Sequence, residues 1–146
     1  MSTSTTKYPA PKKQVSLPSA VESLDKVEKF VNDVLSYENV DEVHIGNILV
    51  SVTEGANNAI NHGNNGKASI EFKLSYGVDG DTLFFTVSDN GSGFDHEKIP
   101  DPTLPDNVEK VSGRGVFIMK SLADDVHFEE NGSTVIIQFN HVINAS

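Results

Sequence analysis

Three short constellations carry the groups through which this chain could do chemistry. The first is Glu54, Asn58 and Asn61, with His62 directly after them. Glu54 and Asn58 are four residues apart, so on a helix they stand one turn above each other and can address one small object. The same spacing is also that of the solvated face of an amphipathic helix, and taken alone the pattern does not choose between the two. The second is Asp89-Asn90-Gly91-Ser92-Gly93. Glycines at alternate positions let a ligand approach the backbone, and a carboxylate there can accept a hydrogen bond from an amino group such as that of adenine. A tight turn is the competing reading. A calcium loop is excluded, because its third position is Gly91 and its twelfth, where a bidentate Glu belongs, is Pro100. The third is Ser112-Gly113-Arg114-Gly115, running into Val116-Phe117-Ile118-Met119. Glycines before a helix free its first N–H groups to face an anion, and the helix dipole favours negative charge there. It is not a P-loop, because the Gly-Lys-Ser/Thr ending is missing, and no acidic group follows at dinucleotide-binding spacing.

These residues need elements to hold them. Ser19 and Glu22 have capping-box spacing, and Val21, Leu24, Val27, Val31 and Val34 recur at helical intervals, which predicts a helix from Ala20 to about Ser36. Asn39 or Asp41 can cap a second helix, whose apolar side gathers Ile45, Ile48, Leu49, Val52, Ala56, Ala59 and Ile60. It should run to about His62 and be ended by Gly63-Asn64-Asn65-Gly66. Strict alternation from Lys67 to Val78 reads as a strand, Asp79-Gly80 as a hairpin turn, and Thr82 to Ser88 as the return strand that delivers Asp89. Pro100, Pro102 and Pro105 mark a long loop, of a length that is often functional. A helix follows over Val116 to Ala123, then a hairpin of Val126 to Glu130 with Thr134 to Asn140 across Asn131-Gly132, after a short first strand over Gln14 to Leu17. The order β-α-α-β-β-α-β-β predicts an α+β fold: a two-layer α/β sandwich with a mixed or antiparallel sheet covered on one face by helices. Residues 1–13 read as a flexible lead-in, 14–140 as one domain and 141–146 as a C-terminal tail.

Composition narrows the functions open to it. A chain of 146 residues can form one core without a staple, and the lack of cysteine excludes disulfides, thiolate metal sites and a Cys nucleophile. The net charge of −10, from 21 acidic and 11 basic residues, opposes broad binding to nucleic acid or to an anionic membrane. A small phosphate-bearing molecule remains compatible, since backbone N–H groups and a divalent cation can hold it locally. No apolar run is long enough to span a bilayer and the start lacks a signal-peptide core, so a cytoplasmic location is expected.

The conjunction, in order, of Glu54-x-x-x-Asn58 with His62-Gly63, Asp89-x-Gly91-x-Gly93 and Gly113-x-Gly115 resembles the N, G1 and G2 boxes of the GHKL (Bergerat-fold) ATPase superfamily. Within it, the chain looks like the small bacterial anti-sigma-factor serine/threonine-protein kinases, over about Gln14 to Phe139. The resemblance implies ATP and Mg²⁺ as cofactors, with Asn58 coordinating the metal, Asp89 binding the adenine amino group, and Gly91 and Gly93 packing near the base. It further implies that Gly113, Arg114, Gly115 and Val116 cradle phosphate, that Glu54 is the general base, and that Thr134 supplies a hydroxyl near Asp89. His62 is implied to be a positioning residue rather than a phosphoacceptor, and Asp95 to Ser112 an ATP lid. The implied partners are a STAS-domain anti-sigma-factor antagonist, a sigma factor and a second copy of the chain. The alternative within the same resemblance is a nucleotide-gated protein-binding module with little phosphoryl transfer. One position departs from the pattern: Val111 stands where relatives commonly carry an arginine.

Overall fold

The computed structural model describes residues 8–63, 67–89, 113–129 and 133–145. Strand β1 (Lys13–Pro18) leads into helix α1 (Ser23–Tyr37), and a short 3-10 turn precedes helix α2 (Ile45–Asn58). Strands β2 (Glu71–Asp79) and β3 (Thr82–Ser88) follow, then helix α3 (Gly113–Leu122) and strands β4 (Asp125–Glu129) and β5 (Thr134–Phe139). The five strands form one sheet in the order β1-β2-β3-β5-β4. Every pairing in it is antiparallel, so of the two sheet types expected the antiparallel one is present.

Register explains the layers. Leu17 pairs with Phe72, Leu74 with Val87, Tyr76 with Phe85, and Val87 with Val135, so one face of the sheet is continuously apolar. The three helices cover that face. On α1, Val27, Phe30, Val31, Val34 and Leu35 are buried; on α2, Ile48, Val52 and Ala56; on α3, Val116 and Met119. The spacing is that of a helical stripe, so burial of this stripe, not intrinsic propensity, holds the helices in place.

Several boundaries differ from expectation for local reasons. Helix α1 starts three residues late, with Glu22 at its N-cap and no side chain capping it. The chain first turns through Ala20–Ser23, where Ser23 Oγ donates to Pro18 O at 2.7 Å, and Val21 is left exposed instead of joining the stripe. Asp41 is the cap it was expected to be, but of the 3-10 turn: its Oδ1 accepts from Val43 N at 3.2 Å. Asn39 instead takes a φ of 61°. Strand β2 begins at Glu71, because Ile70 N donates to Lys67 O and closes a turn first. Gly80, at φ 64°, opens the two-residue β2–β3 turn.

The second face of the sheet is covered by the chain's own beginning. A lead-in without fixed contacts was expected up to residue 13, yet Lys12 N donates to Tyr76 O at 2.8 Å and extends β1 backwards. Pro9 and Ala10 cross directly above Gly77, where a Cβ would stand 3.0 Å from Ala10 O and 3.1 Å from Pro9 Cγ. Only glycine leaves that space. The Tyr8 ring meets Phe84 edge-on at 5.7 Å and lies 5.9 Å from His127. Burial raises the Tyr8 hydroxyl's pKa first, and the nearby charges of Asp125 and Glu129 add to it.

The C-terminal residues are tied down as well. Val142 and Ile143 N–H groups both donate to Asp81 O, Val142 O accepts from Asp41 N, and Ile143 bridges Val40. His141 Nδ1 lies 3.0 Å from Asp81 Oδ2 on the surface. Hydrogen bonding to Asp81, then its charge, raises the His141 pKa above the ordinary 6.5, and the bond from His141 lowers Asp81 below its ordinary 3.8. The histidine's contribution to stability is therefore complete below pH 6.5 and is lost as pH rises through the raised folded value. That of Asp81 is present above 3.8 and is lost as pH falls through the lowered folded value. An NMR titration should place the His141 midpoint above 6.5, and Asp81→Asn should bring it back down.

Candidate functional site

Helix α2 is the spine of the site. Its apolar side faces the core, and a Cβ on Gly55 would lie 3.3 Å from Ile137 Cδ1 and 3.5 Å from Val87 Cγ2, so this turn rests on the centre of the sheet. That orientation leaves Glu54 and Asn58 half-buried at the edge of the layer. The helix ends in a π turn, Ala59–Gly63, that contains His62. Such turns widen the backbone spiral and recur at functional sites.

Helix α3 packs beside α2, and its first turn approaches those two side chains closely. A Cβ added to Gly115 would stand 2.9 Å from Glu54 Oε1, 3.3 Å from Asn58 Oδ1 and 3.4 Å from Asn58 Nδ2. The glycine pair was expected to precede the helix; instead both Gly113 and Gly115 belong to its first turn. The difference matters chemically, because the N–H groups of a first turn have no partner within the helix. Arg114 is exposed, whereas the Val116 side chain is in the core. Of Val116, therefore, the backbone N–H alone is available to an anion.

Asp89 follows β3 and is buried, with its N–H donating to Ser133 O at 2.8 Å. It lines a cleft with Gly55, Asn58 and Ala59 of the α2 spine, Val87, Phe128, Ser133 and Val135. The cleft walls are mostly apolar, with one carboxylate that can accept from an exocyclic amino group, but among the described residues the cleft holds only about 10 Å³, far less than a base needs. Asn58 borders both this cleft and the turn at Gly115, so it joins the two halves of the site. Its Nδ2 is buried and has no hydrogen-bond partner among the described residues. A buried, unsatisfied amide costs free energy unless a ligand completes it.

The structure thus brings Glu54, Asn58, Gly115 and Asp89 around one path. Thr134 is not on it as expected: it pairs with Ser88, and the two hydroxyls are 2.9 Å apart. Alternation along β3 puts Val87 and Asp89 on the helix side and Ser88 with Thr134 on the other. Ser133 is the residue level with Asp89, one position before the Thr134 that the resemblance implied. Phe128 was also missed; its place in the alternation with Val126 was the available signal. Gly91, Gly93, Val111 and the expected lid from Asp95 to Ser112 lie outside the described residues.

A larger groove of about 450 Å³ lies elsewhere, between Lys12, Lys13, Asp33, Val34, Tyr37 and Tyr76, and contains none of these groups. At its edge Glu38 accepts from Lys12 Nζ and from Tyr76 Oη, each at 2.7 Å. Burial pushes the Glu38 carboxyl up, but those two bonds outweigh it and hold it below the usual range. This is a structural cluster. Among the described residues, no group of three His, Cys, Asp or Glu could hold a metal, and no helix is long and apolar enough to cross a membrane.

A two-layer antiparallel sandwich with an Asn-bearing helix, a buried Asp at a strand end and glycines in a helix's first turn defines a nucleotide-binding ATPase domain. The chain belongs to the histidine kinase-like ATPase family, whose model matches residues 17–139. It is similar to the serine-protein kinase RsbW of Oceanobacillus iheyensis, with 31% identity over 113 residues, covering 73% of this chain and 68% of that one. It is also similar to the serine-protein kinase RsbW of Listeria innocua, with 30% identity over 112 residues, covering 71% and 68%. Among solved structures, the RsbU and RsbW domains of Rv1364c from Mycobacterium tuberculosis match with a TM-score of 0.59 and 15% identity. That match covers 94% of this chain and 34% of the other, and it bears on the fold alone.

Proposed function

We propose that this protein is an anti-sigma factor with ATP-dependent serine/threonine-protein kinase activity, which phosphorylates a STAS-type anti-sigma-factor antagonist in a partner-switching circuit. The relatives named as serine-protein kinases support the activity, and ATP use follows from the ATPase family. The observation that carries the reading is the approach of Gly115 to Glu54 and Asn58, which puts a carboxylate at the mouth of an N-terminal helix turn built to face an anion.

In this reading the adenine amino group donates to Asp89, and the cleft opens between Gly55 and Phe128 to admit the base. Gly91 and Gly93 keep the backbone close to the base. The terminal phosphates face the N–H groups of Gly113 to Val116, with the exposed Arg114 guanidinium beside them. His62 positions the end of α2. Glu54 takes the proton from a serine or threonine hydroxyl of the partner; the hydroxyl oxygen forms its bond to the γ-phosphorus while the bond to the β–γ bridging oxygen breaks, and ADP leaves. Asn58 is the residue that would hold Mg²⁺, through its amide oxygen Oδ1 beside the turn at Gly115, while its unpartnered Nδ2 is a donor suited to a phosphate oxygen; the ion would neutralise charge on the phosphates. The partner set is the antagonist and a sigma factor, sequestered by a homodimer in the cytoplasm, and neither nucleic acid nor membrane is bound directly.

Calorimetric titration with ATP and Mg²⁺ tests this. Wild type is expected to bind, and Asn58→Ala and Asp89→Asn are expected to lose binding at least tenfold, each having removed a charge-assisted or metal contact. Equal binding by all three proteins would sink the assignment of the site.

A further inference from the structure

The two ends of the site are not alike. Asp89 closes one end in an apolar cleft, while on the other side of α2 Glu54 also lines an open groove with Glu28 of α1 and Leu49, Val50 and Thr53 of α2. The groove holds about 290 Å³. That lies just under the roughly 300–1,000 Å³ of clefts that enclose small ligands, and it is open, so it suits one or two side chains of a larger partner. Val50 is 45% exposed, and Glu28 is exposed with no ion pair or hydrogen bond among the described residues.

We propose that the groove between α1 and α2 is the docking surface for the protein that receives the phosphate, and that it selects a basic side chain at Glu28 beside an apolar side chain on Leu49 and Val50. The inference rests on the kinase reading and deepens it. Glu54 borders the turn at Gly115 on one side and this groove on the other, so a macromolecule that delivers a hydroxyl to Glu54 opposite the phosphates comes in over the groove. Its charge is one-sided: Glu28 and Glu54 are both acidic, no basic residue lines it among the described residues, and the chain carries a net −10. A partner with Asp or Glu at the facing position meets like-charge repulsion, whereas Lys or Arg gains a pair at Glu28. The (CH₂) stem of that basic side chain and an apolar neighbour then cover Val50. Glu28 and Val50 are thereby specificity residues. They touch neither the nucleotide cleft nor the turn at Gly115.

The test uses the full chain, ATP and a positional-scanning library of serine peptides, with phosphate incorporation read at each fixed position. Wild type should favour Lys or Arg at one offset from the serine and an apolar residue at another. Glu28→Lys should cut use of the basic peptides by about tenfold and shift the preference to Asp or Glu, while ATP binding measured by calorimetry is unchanged. Val50→Ser should flatten the apolar preference in the same way. Labelling that shows no basic preference, or the same preference in wild type and Glu28→Lys, overturns the docking proposal and leaves the kinase reading standing. A wild type that binds ATP and labels no peptide also overturns the docking proposal, since the groove then selects no linear side-chain pattern, and leaves standing the kinase reading, whose acceptor is a folded domain.

Discussion

Glu54→Gln should lower phosphoryl transfer by about a hundred- to ten-thousand-fold while ATP binding stays within about twofold of wild type, the span general-base removal ordinarily produces. Glutamine keeps the length of the side chain and its place beside Gly115, where Glu54 Oε1 comes within 2.9 Å of the position of a Cβ, but it cannot take a proton. Single-turnover transfer measured beside calorimetric ATP affinity separates the two effects. A variant that transfers as well as wild type would assign the proton to another group and leave Glu54 a wall of the groove. A variant that loses ATP binding to the same degree would make Glu54 a ligand of the nucleotide. The reading of the chain as a nucleotide-gated binding module predicts neither loss, so the same pair of measurements distinguishes an enzyme from a switch.

Phe85→Ala should cost about 3–5 kcal/mol of folding stability. Phe85 is fully buried on β3, level with Tyr76 on one side and Ile137 on the other, with the helix layer above. Its loss removes apolar area and leaves a cavity that the paired backbone of a central strand cannot close. Against a typical total of about 5–15 kcal/mol, one such change removes a large share of the stability. Phe117, by contrast, is 71% exposed on α3, and Phe117→Ala should leave the unfolding midpoint nearly unchanged. Chemical denaturation of the two variants checks both expectations. Equal midpoints would mean that the sheet's centre is not where the core is.

How much of this was legible in the sequence depended on whether a pattern had one physical reading. The stripe of Ile48, Val52, Ala56 and Ile60 admits one helical face, so the opposite position of Glu54 and Asn58 followed from it, and both lie where that stripe leaves them. The alternation of Phe72, Leu74 and Tyr76 likewise fixed which face of β2 is buried. Two things were not legible. A glycine pair says that backbone is exposed but not whether the helix has already begun, and here the helix takes in Gly113. Nor does a proline-bearing start say whether it packs: Tyr8 to Ala10 lie on the sheet because Gly77, almost seventy residues later, has no side chain to keep them off. Thr134 came from the resemblance alone, and a one-residue step in register puts its hydroxyl beside Ser88 on the far face and leaves Ser133 level with Asp89.

The strand order has a consequence for how the chain reaches this form. Strands β2 and β3 meet across Gly80 and Asp81, a closure over a few residues that costs little loop entropy and can occur in microseconds. Strand β1 must wait for β2, more than fifty residues behind it on the ribosome, and β5 reaches β3 only after α3 has been made. The β2–β3 and β4–β5 hairpins are thus the local closures, and the docking of β1 on β2 and of β5 on β3 are the long-range ones. During synthesis, residues 13–18 leave the exit tunnel before their strand partner is made, and that partner emerges only with residues 71–76.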